Sequence, residues 1–334
     1  MADVNLLGYE FMQRALLAAL VTGLAAPAIG TYLVQRRLAL MGDGIGHVAV
    51  TGVALGLLTG AAPTLTAVIV AVGGAVAIEV VRARGRTSAD VALALLFYGG
   101  IAGGVLVIGL AGGSAATLQG YLFGSIATVS EAELWLVVIF AAAVVTVALG
   151  LSPQLFAVCQ DEEFARAQGL NVRAFNLAMS VMAAVTVTVA MRTVGLLLVS
   201  ALMVVPVATA QQVARGFRTT LIASMLLGAL ATLAGLVTSF YADVSPGATI
   251  VVVALLGFAA TWPVGALIRY RQRLTTPFEE EEDADVPADH RATESHPHRH
   301  SDDCGHRAVP HGDHVDFVHD GHRHAVHGDH YDEH

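Results

Sequence analysis

The sequence predicts an all-α polytopic membrane body of eight to nine spans, followed by a disordered, histidine-rich tail. Three observations carry this. The chain of 334 residues is 55% hydrophobic and only 13% charged, with a mean hydropathy of +0.65. Its charge is split sharply: residues 1–274 hold 14 arginines against 11 acids, and residues 275–334 hold 4 against 16. Nine apolar runs are long enough to cross a bilayer. A membrane body at 1–274 and a polar tail at 275–334 are therefore physically different objects.

The runs fall at about 14–34, 45–62, 64–81, 90–111, 134–158, 174–191, 194–213, 219–241 and 248–268, eight if a short one is re-entrant. Arginine clusters at Arg36 and Arg37, at Arg82, Arg84 and Arg86, at Arg166 and Arg173, at Arg215 and Arg218, and at Arg269, Arg271 and Arg273 all follow odd-numbered spans. That parity predicts an outside N-terminus and a cytoplasmic tail. Pro27, Pro206 and Pro263 lie inside spans and predict kinks or local unwinding. Every basic residue is arginine, so there is no Walker A lysine and any ATP must be bound by another chain. Cys159 and Cys304 belong to no CxxC pair and indicate no disulfide framework. No basic n-region with a cleavage site opens the chain, so no removable signal peptide is expected.

The second span carries the chemistry. In Arg36–Leu58 the centre reads Gly42-Asp43-Gly44-Ile45-Gly46-His47. Asp43 and His47 stand four residues apart, so a helix projects both from one face. Carboxylate oxygen and imidazole nitrogen both ligate divalent transition ions such as Zn²⁺ or Mn²⁺. Ionisable groups at membrane depth are costly and usually functional. The plainer alternative has Asp43 capping the helix and His47 bonding a neighbouring backbone.

Between spans five and six, residues 160–173 predict a short amphipathic helix. Asp161, Glu162 and Glu163 open it, Arg166 follows, and Gly169 is placed for a left-handed cap. Phe164 and Leu170 are expected to supply its apolar contacts. Such a helix is either an interfacial connector or a docking handle for a soluble partner. Ser245 and Pro246 predict the start of span nine.

In the tail, Glu279–Asp289 is an acidic run expected to be a disordered linker. Beyond Asp289 stand 13 of the 14 histidines, and HGDHVD at 311–316 recurs as HGDHYD at 327–332, a period of 16. Histidine interleaved with aspartate is a metal-binding composition. The candidate ligands are His296, His298, His300, Cys304, His306, His311, Asp313, His314, His319, His322, His324, His327, Asp329 and His330. A pH-responsive polycation or a solubilising tail are the alternatives.

RRLALMGDGIGHVAVTGVALG, SADVALALLF (88–97), YLFGSIATVS (121–130), DEEFARAQGLNVR (161–173), VAMRTVGLLLVSALMVVPVATA (189–210) and SPGATIVVVA (245–254) together resemble the ZnuB-like family. Those proteins are the membrane subunits of ATP-binding-cassette importers for zinc, manganese or ferrous iron, and the match runs from about residue 12 to 270. The resemblance implies a type II importer architecture, a homodimer of permeases, two cytoplasmic ATPase subunits and an extracytoplasmic metal-binding protein. It also implies that 161–173 docks the ATPase and that Asp43 and His47 touch the metal in transit. The histidine-rich extension departs from the commonest family form.

The expectation is thus a permease subunit in a bacterial cytoplasmic membrane, in contact with lipid and with no nucleic-acid partner. It is not an enzyme, and no cofactor is bound covalently. Zinc is the preferred cargo and tail ligand, with manganese second. A proton-coupled secondary transporter is the rival reading, but inside the bundle only Asp43, His47, Glu79 and Asp90 are available to it. A membrane-anchored metal sensor is a third, and nine spans exceed what an anchor needs.

Overall fold

A computed structural model describes residues 8–83, 89–112, 120–122, 124, 130–275, 291–292, 305–311, 314–319, 322–327 and 330–333. Two compact units divide the chain, Met1–Gln272 and Arg273–His334.

The first unit is helical: α1 Glu10–Gln35, α2 Met41–Thr59, α3 Pro63–Ala83, α4 Ala89–Leu110, α5 Glu131–Gly150, α6 Ser152–Gln160, α7 Glu162–Ala167, α8 Val172–Val194, α9 Leu196–Val213, α10 Phe217–Ala242 and α11 Pro246–Thr275. Among the described residues nine helices are long and apolar enough to cross a membrane, all except α6 and α7. Half or more of α1, α2, α8, α9 and α10 is buried, against a third or less of α3, α4, α5 and α11. The first five form the core, and the other four present apolar side chains outward. Small residues permit the close crossings that lipid-embedded helices need. At the α1–α10 crossing, a Cβ on Gly23 or on Gly228 would collide with the facing helix. Tyr32 is fully buried there and donates to the Ala148 carbonyl of α5 at 2.5 Å.

One boundary differs from the sequence expectation. The fifth span does not run to 158: it ends at Gly150, and α6 starts at Ser152 with Pro153 in its first turn. Ser-Pro is a helix start, and proline lacks the N–H an unbroken helix needs there. Pro27, Pro206 and Pro263 lie within α1, α9 and α11, which continue through them. At Pro27 the Thr31 hydroxyl donates to the proline carbonyl at 2.8 Å.

The second unit corrects the expectation of a disordered tail. Its described residues form a five-stranded antiparallel sheet: β1 Arg291–Ala292, β2 Arg307–His311, β3 His314–His319, β4 His322–His327 and β5 His330–Glu333, in the order β1-β5-β4-β3-β2. The pattern is a hairpin pattern. Six-residue strands separated by Gly-Asp or Asp-Gly pairs add up to the period of 16, and two-residue glycine-containing links are the strongest hairpin signal. Polarity had hidden it, because few of these residues are apolar. The 279–289 linker, His296, His298, His300, Cys304, Asp313 and Asp329 lie outside the described residues.

Candidate functional site

Asp43 and His47 occupy the first two turns of α2, whose N-cap is Leu40; the Asp43 side chain makes no N-cap bond. Through residues 41–56, the helix is buried except at Asp43, His47, Val48, Thr51 and Leu55. The spacing of four places Asp43, His47, Thr51 and Leu55 on one open stripe. His47 Nε2 lies 3.9 Å from Asp43 Oδ1, with the two side chains 14% and 27% exposed. This is an acid and an imidazole side by side, sheltered but reachable. The next polar side chain up the stripe is committed: Thr51 Oγ1 donates to the Gly100 carbonyl at 2.8 Å.

Helix α4 holds the histidine in place. The Phe97 ring meets the His47 ring edge-on, with centroids 4.5 Å apart. One turn further, Gly100 brings the α4 backbone directly against α2. A Cβ there would lie 2.6 Å from Val48 N and 2.7 Å from His47 C. Sequence reading missed Phe97 and, for Gly100, which small-residue spacing marks as a close-packing position, the histidine it packs against. The signal was the Phe97-Tyr98-Gly99-Gly100 run, where an aromatic precedes paired glycines in an apolar span.

At the end of the bundle where α1 gives way to α2, Arg36 is nearly buried, its side chain 7% exposed. It donates through Nη1 to Asn176 Oδ1 of α8 at 2.7 Å and through Nη2 to Glu162 Oε1 of α7. Asn176 Nδ2 donates to the same Glu162 oxygen at 3.1 Å, closing a three-membered ring. Burial lowers the Arg36 pKa, neighbouring Arg82 lowers it further, and Glu162 opposes both. Arg36, Arg37, Arg82, Gln160 and Glu162 line a polar cavity of about 530 Å³. The arginines following spans one and three thus meet the segment following span five at one end of the bundle. Glu79 pairs with Arg82 at 2.8 Å, so this membrane-embedded acid is neutralised within its own helix.

The segment 160–173 folds as its sequence predicts at both ends. Asp161 caps α7 by accepting from the N–H groups of Glu163 and Phe164 at 2.8 and 3.0 Å. At the other end Gly169 takes φ +84°, with Gly169 N donating to Arg166 O and Leu170 N to Ala165 O. That is a Schellman cap, which requires the left-handed conformation glycine adopts at least cost. The faces differ from expectation in one respect. Ala165 is fully buried and Leu170 packs on the core, but Phe164 is 59% exposed. Phe164 therefore does not anchor α7 to the bundle; it stands exposed beside exposed Glu163 and Arg166.

In the tail, His314 Nε2 lies 3.2 Å from Asp316 Oδ1, and the Asp316 side chain is fully buried. His306 is partly exposed and His324 buried. Among the described residues no group of three or more His, Cys, Asp or Glu side chains is gathered as for a metal ion. Half-buried Cys159 has its thiol pKa pushed up to about 12 by desolvation, so the thiol is protonated at neutral pH.

Comparison with known proteins agrees with this architecture. The chain is 32% identical over 270 residues to a manganese transport system membrane protein, MntC, of Halalkalibacterium halodurans, covering 80% of this chain and 92% of that one. It is 26% identical over 244 residues to the high-affinity zinc uptake system membrane protein ZnuB of Haemophilus influenzae, covering 73% and 94%. Among solved structures it is similar to a chain of PsaBC from Streptococcus pneumoniae in complex with Fab. That match has a TM-score of 0.71 at 28% identity and covers 80% of this chain and 97% of the other. The family model described as the ABC 3 transport family matches residues 8–263. Nine apolar helices in this arrangement, with that match across the helical unit, make the chain a member of the ABC 3 transport family and a permease rather than an enzyme.

Proposed function

We propose that this chain is the membrane subunit of an ATP-driven importer for a divalent transition metal, with zinc as the preferred ion. The observation that carries the reading is the Asp43–His47 pair on the one open stripe of an otherwise buried helix. Two copies related by a two-fold axis would present two carboxylates and two imidazoles, enough for tetrahedral zinc. Two donors per chain replace lost hydration without trapping the ion, the balance conduction requires. Relatives are named for manganese and for zinc, so the preference for zinc rests on donor chemistry. Manganese favours more oxygen ligands than one per chain.

An extracytoplasmic binding protein delivers the ion, and a cytoplasmic ATPase dimer docks on α7 through Phe164, Glu163 and Arg166. The N-terminus lies outside and the tail in the cytoplasm, where its histidines bind the same ion. Glu79 is paired with Arg82, which leaves the proton-coupled alternative short of carboxylates.

The test is uptake by vesicles containing the full complex. Asp43→Ala and His47→Ala are each expected to abolish ATP-dependent zinc uptake while the ATPase still co-purifies. Normal uptake by both variants removes the transit site, and uptake that persists without ATP removes the importer reading. Manganese that out-competes zinc overturns the choice of ion.

A further inference from the structure

We propose that the arginine-lined cavity where α1 and α3 end beside α7 is a binding site for a phosphate group, the headgroup phosphate of an anionic membrane phospholipid. This goes beyond the transport reading and does not depend on which ion is moved.

The charges carry the argument. Arg36, Arg37 and Arg82 line the cavity, and among the described residues Glu162 is the one carboxylate in its wall. Two of the guanidinium groups are committed. Arg36 donates to Asn176 and Glu162, and Arg82 Nη1 donates to Glu79 Oε2 at 2.8 Å. Each of those arginines is matched by one carboxylate. Arg37 is not: its guanidinium makes no hydrogen bond or ion pair with the described residues. Arg82 stands close enough to Arg36 to lower its pKa, so like charges are held side by side at this end of the bundle.

The backbone carries Arg37 at a cost. Helix α1 ends in a Schellman cap, with Arg37 N donating to Val34 O at 3.0 Å and Leu38 N to Leu33 O at 2.8 Å. Arg37 is the left-handed residue of that cap, at φ +59°. Glycine is the low-cost residue in this conformation, and Gly60 and Gly169 supply it after α2 and α7. A long side chain kept where glycine is favoured points to a use for it, and this one faces the cavity.

Guanidinium forks match the oxygens of a phosphate. At about 530 Å³ the cavity lies within the range of about 300–1,000 Å³ common for small-ligand sites. Its position selects a lipid over a free ion. Arg36 is the C-cap of α1 and Arg82 lies in the last turn of α3, so the cavity stands where two membrane spans end. Little of α3 is buried, and Val80 and Val81, just before Arg82, are exposed. A polar cavity bordered by an exposed apolar span complements an amphiphile, with the phosphate at the arginines and acyl chains along α3. Basic pockets between spans recognise anionic headgroups in this way.

The experiment reconstitutes the full-length protein in vesicles of phosphatidylcholine and phosphatidylglycerol in equal parts, re-extracts it in mild detergent and counts retained lipid by native mass spectrometry. Preferential retention of phosphatidylglycerol is expected, and equal retention of both lipids overturns the site. Arg37→Gln should lower that retention by about tenfold or more, the worth of a hydrogen-bonded charge. Arg218→Gln removes an exposed arginine outside the cavity and should leave it unchanged. Equal losses in both variants would show attraction to the basic surface at large and overturn the cavity assignment. Arg37→Gly separates binding from folding. Glycine suits the left-handed position, so this variant should melt no lower than the parent in phosphatidylcholine yet lose the bound phosphatidylglycerol. Undiminished retention by Arg37→Gly overturns the proposal. Inorganic phosphate identifies the source: if it binds with the same dependence on Arg37 while phosphatidylglycerol is not retained, the site takes a free anion and the lipid assignment fails. An Arg37→Gln variant that keeps its lipid but loses the co-purifying ATPase would make the cavity a protein contact and overturn the proposal.

Discussion

Asp43 and His47 stand four residues apart on a helix with 3.9 Å between Oδ1 and Nε2, whereas His314 and Asp316 stand two apart on a strand at 3.2 Å. The same two functional groups are used, and the secondary structure decides how many more can join them. On α2 the next residue along the stripe is Thr51, whose hydroxyl is spent on the Gly100 carbonyl, so the helix offers an ion two donors. On β3 the neighbouring strand adds His311 at an opposed position. A pair of donors on a helix face suits a site that must release its ion. The supports differ too: the α2 pair is held by side-chain and backbone packing from α4, whereas His314 and Asp316 are carried by one strand of a hydrogen-bonded sheet.

Gly100→Val tests that difference most strongly. Its Cβ would press into Val48 N and the His47 backbone, and relieving such overpacking costs about 1–3 kcal/mol. The expected outcome is loss of zinc uptake, a lower thermal midpoint for the helical unit, and an unchanged count of tail-bound zinc by dialysis. Normal uptake would show that α4 does not set the position of His47. A changed zinc count would show that the two regions are not independent.

Arg36→Ala probes the same contrast at the end of the bundle. Hydrogen bonds to a charged group contribute about 1.5–3 kcal/mol each when buried, and Glu162 is partly exposed, so the lower end applies. Loss of the guanidinium leaves Glu162 and Asn176 joined by the one bond between them, no longer tied to the end of α1, and loosens α7 against the bundle. Weaker co-purification of the ATPase is expected, with zinc still bound in the tail. The conservative Arg36→Lys offers one point charge where two directional bonds are needed and should rescue docking only in part. Full docking by Arg36→Ala would make the ring a structural ornament of the loop.

Much of this was legible in the sequence where one residue type has one physical use. Arginine parity grouped Arg36, Arg37 and Arg82 with the segment after span five, and these do line one cavity; Asp161 and Gly169 marked both ends of α7, and the spacing of Asp43 and His47 put them on one face. The failures share a different cause: they concern which partner a residue meets. Phe164 reads as an apolar anchor until Ala165 is seen to take the buried position. Asn176 and Gly100 acquire meaning only from Arg36 and His47, which lie far away in sequence. The tail was misread because strand alternation is usually recognised by apolar residues, and here the alternating residues are largely histidine and aspartate.

The smallest effect concerns the thiol of Cys159, beside Arg36 and Glu162. Cys159 Sγ lies 3.7 Å from the Tyr32 carbonyl and 3.6 Å from Met179 Sδ, on the wall of the polar cavity that holds Arg36. Desolvation raises its pKa to about 12, against a weaker lowering by Arg36 and a further rise from Glu162. Alkylation at about pH 8.5, where an ordinary thiol is half ionised, should therefore be slow in the folded protein and fast after unfolding. The linkage has a definite sign. Between the ordinary thiol pKa and about 12 the folded state holds a proton that the unfolded chain has released. Stability is therefore intact below that window and falls as pH rises through it. Cys159→Ser and the parent should show the same thermal midpoint difference at neutral pH and below, and that difference should shrink in alkali as the parent loses its thiol advantage. Rapid alkylation of the folded protein would mean that a thiolate is available beside Arg36, a donor chemistry that neither the Asp43–His47 pair nor the His314–Asp316 pair supplies.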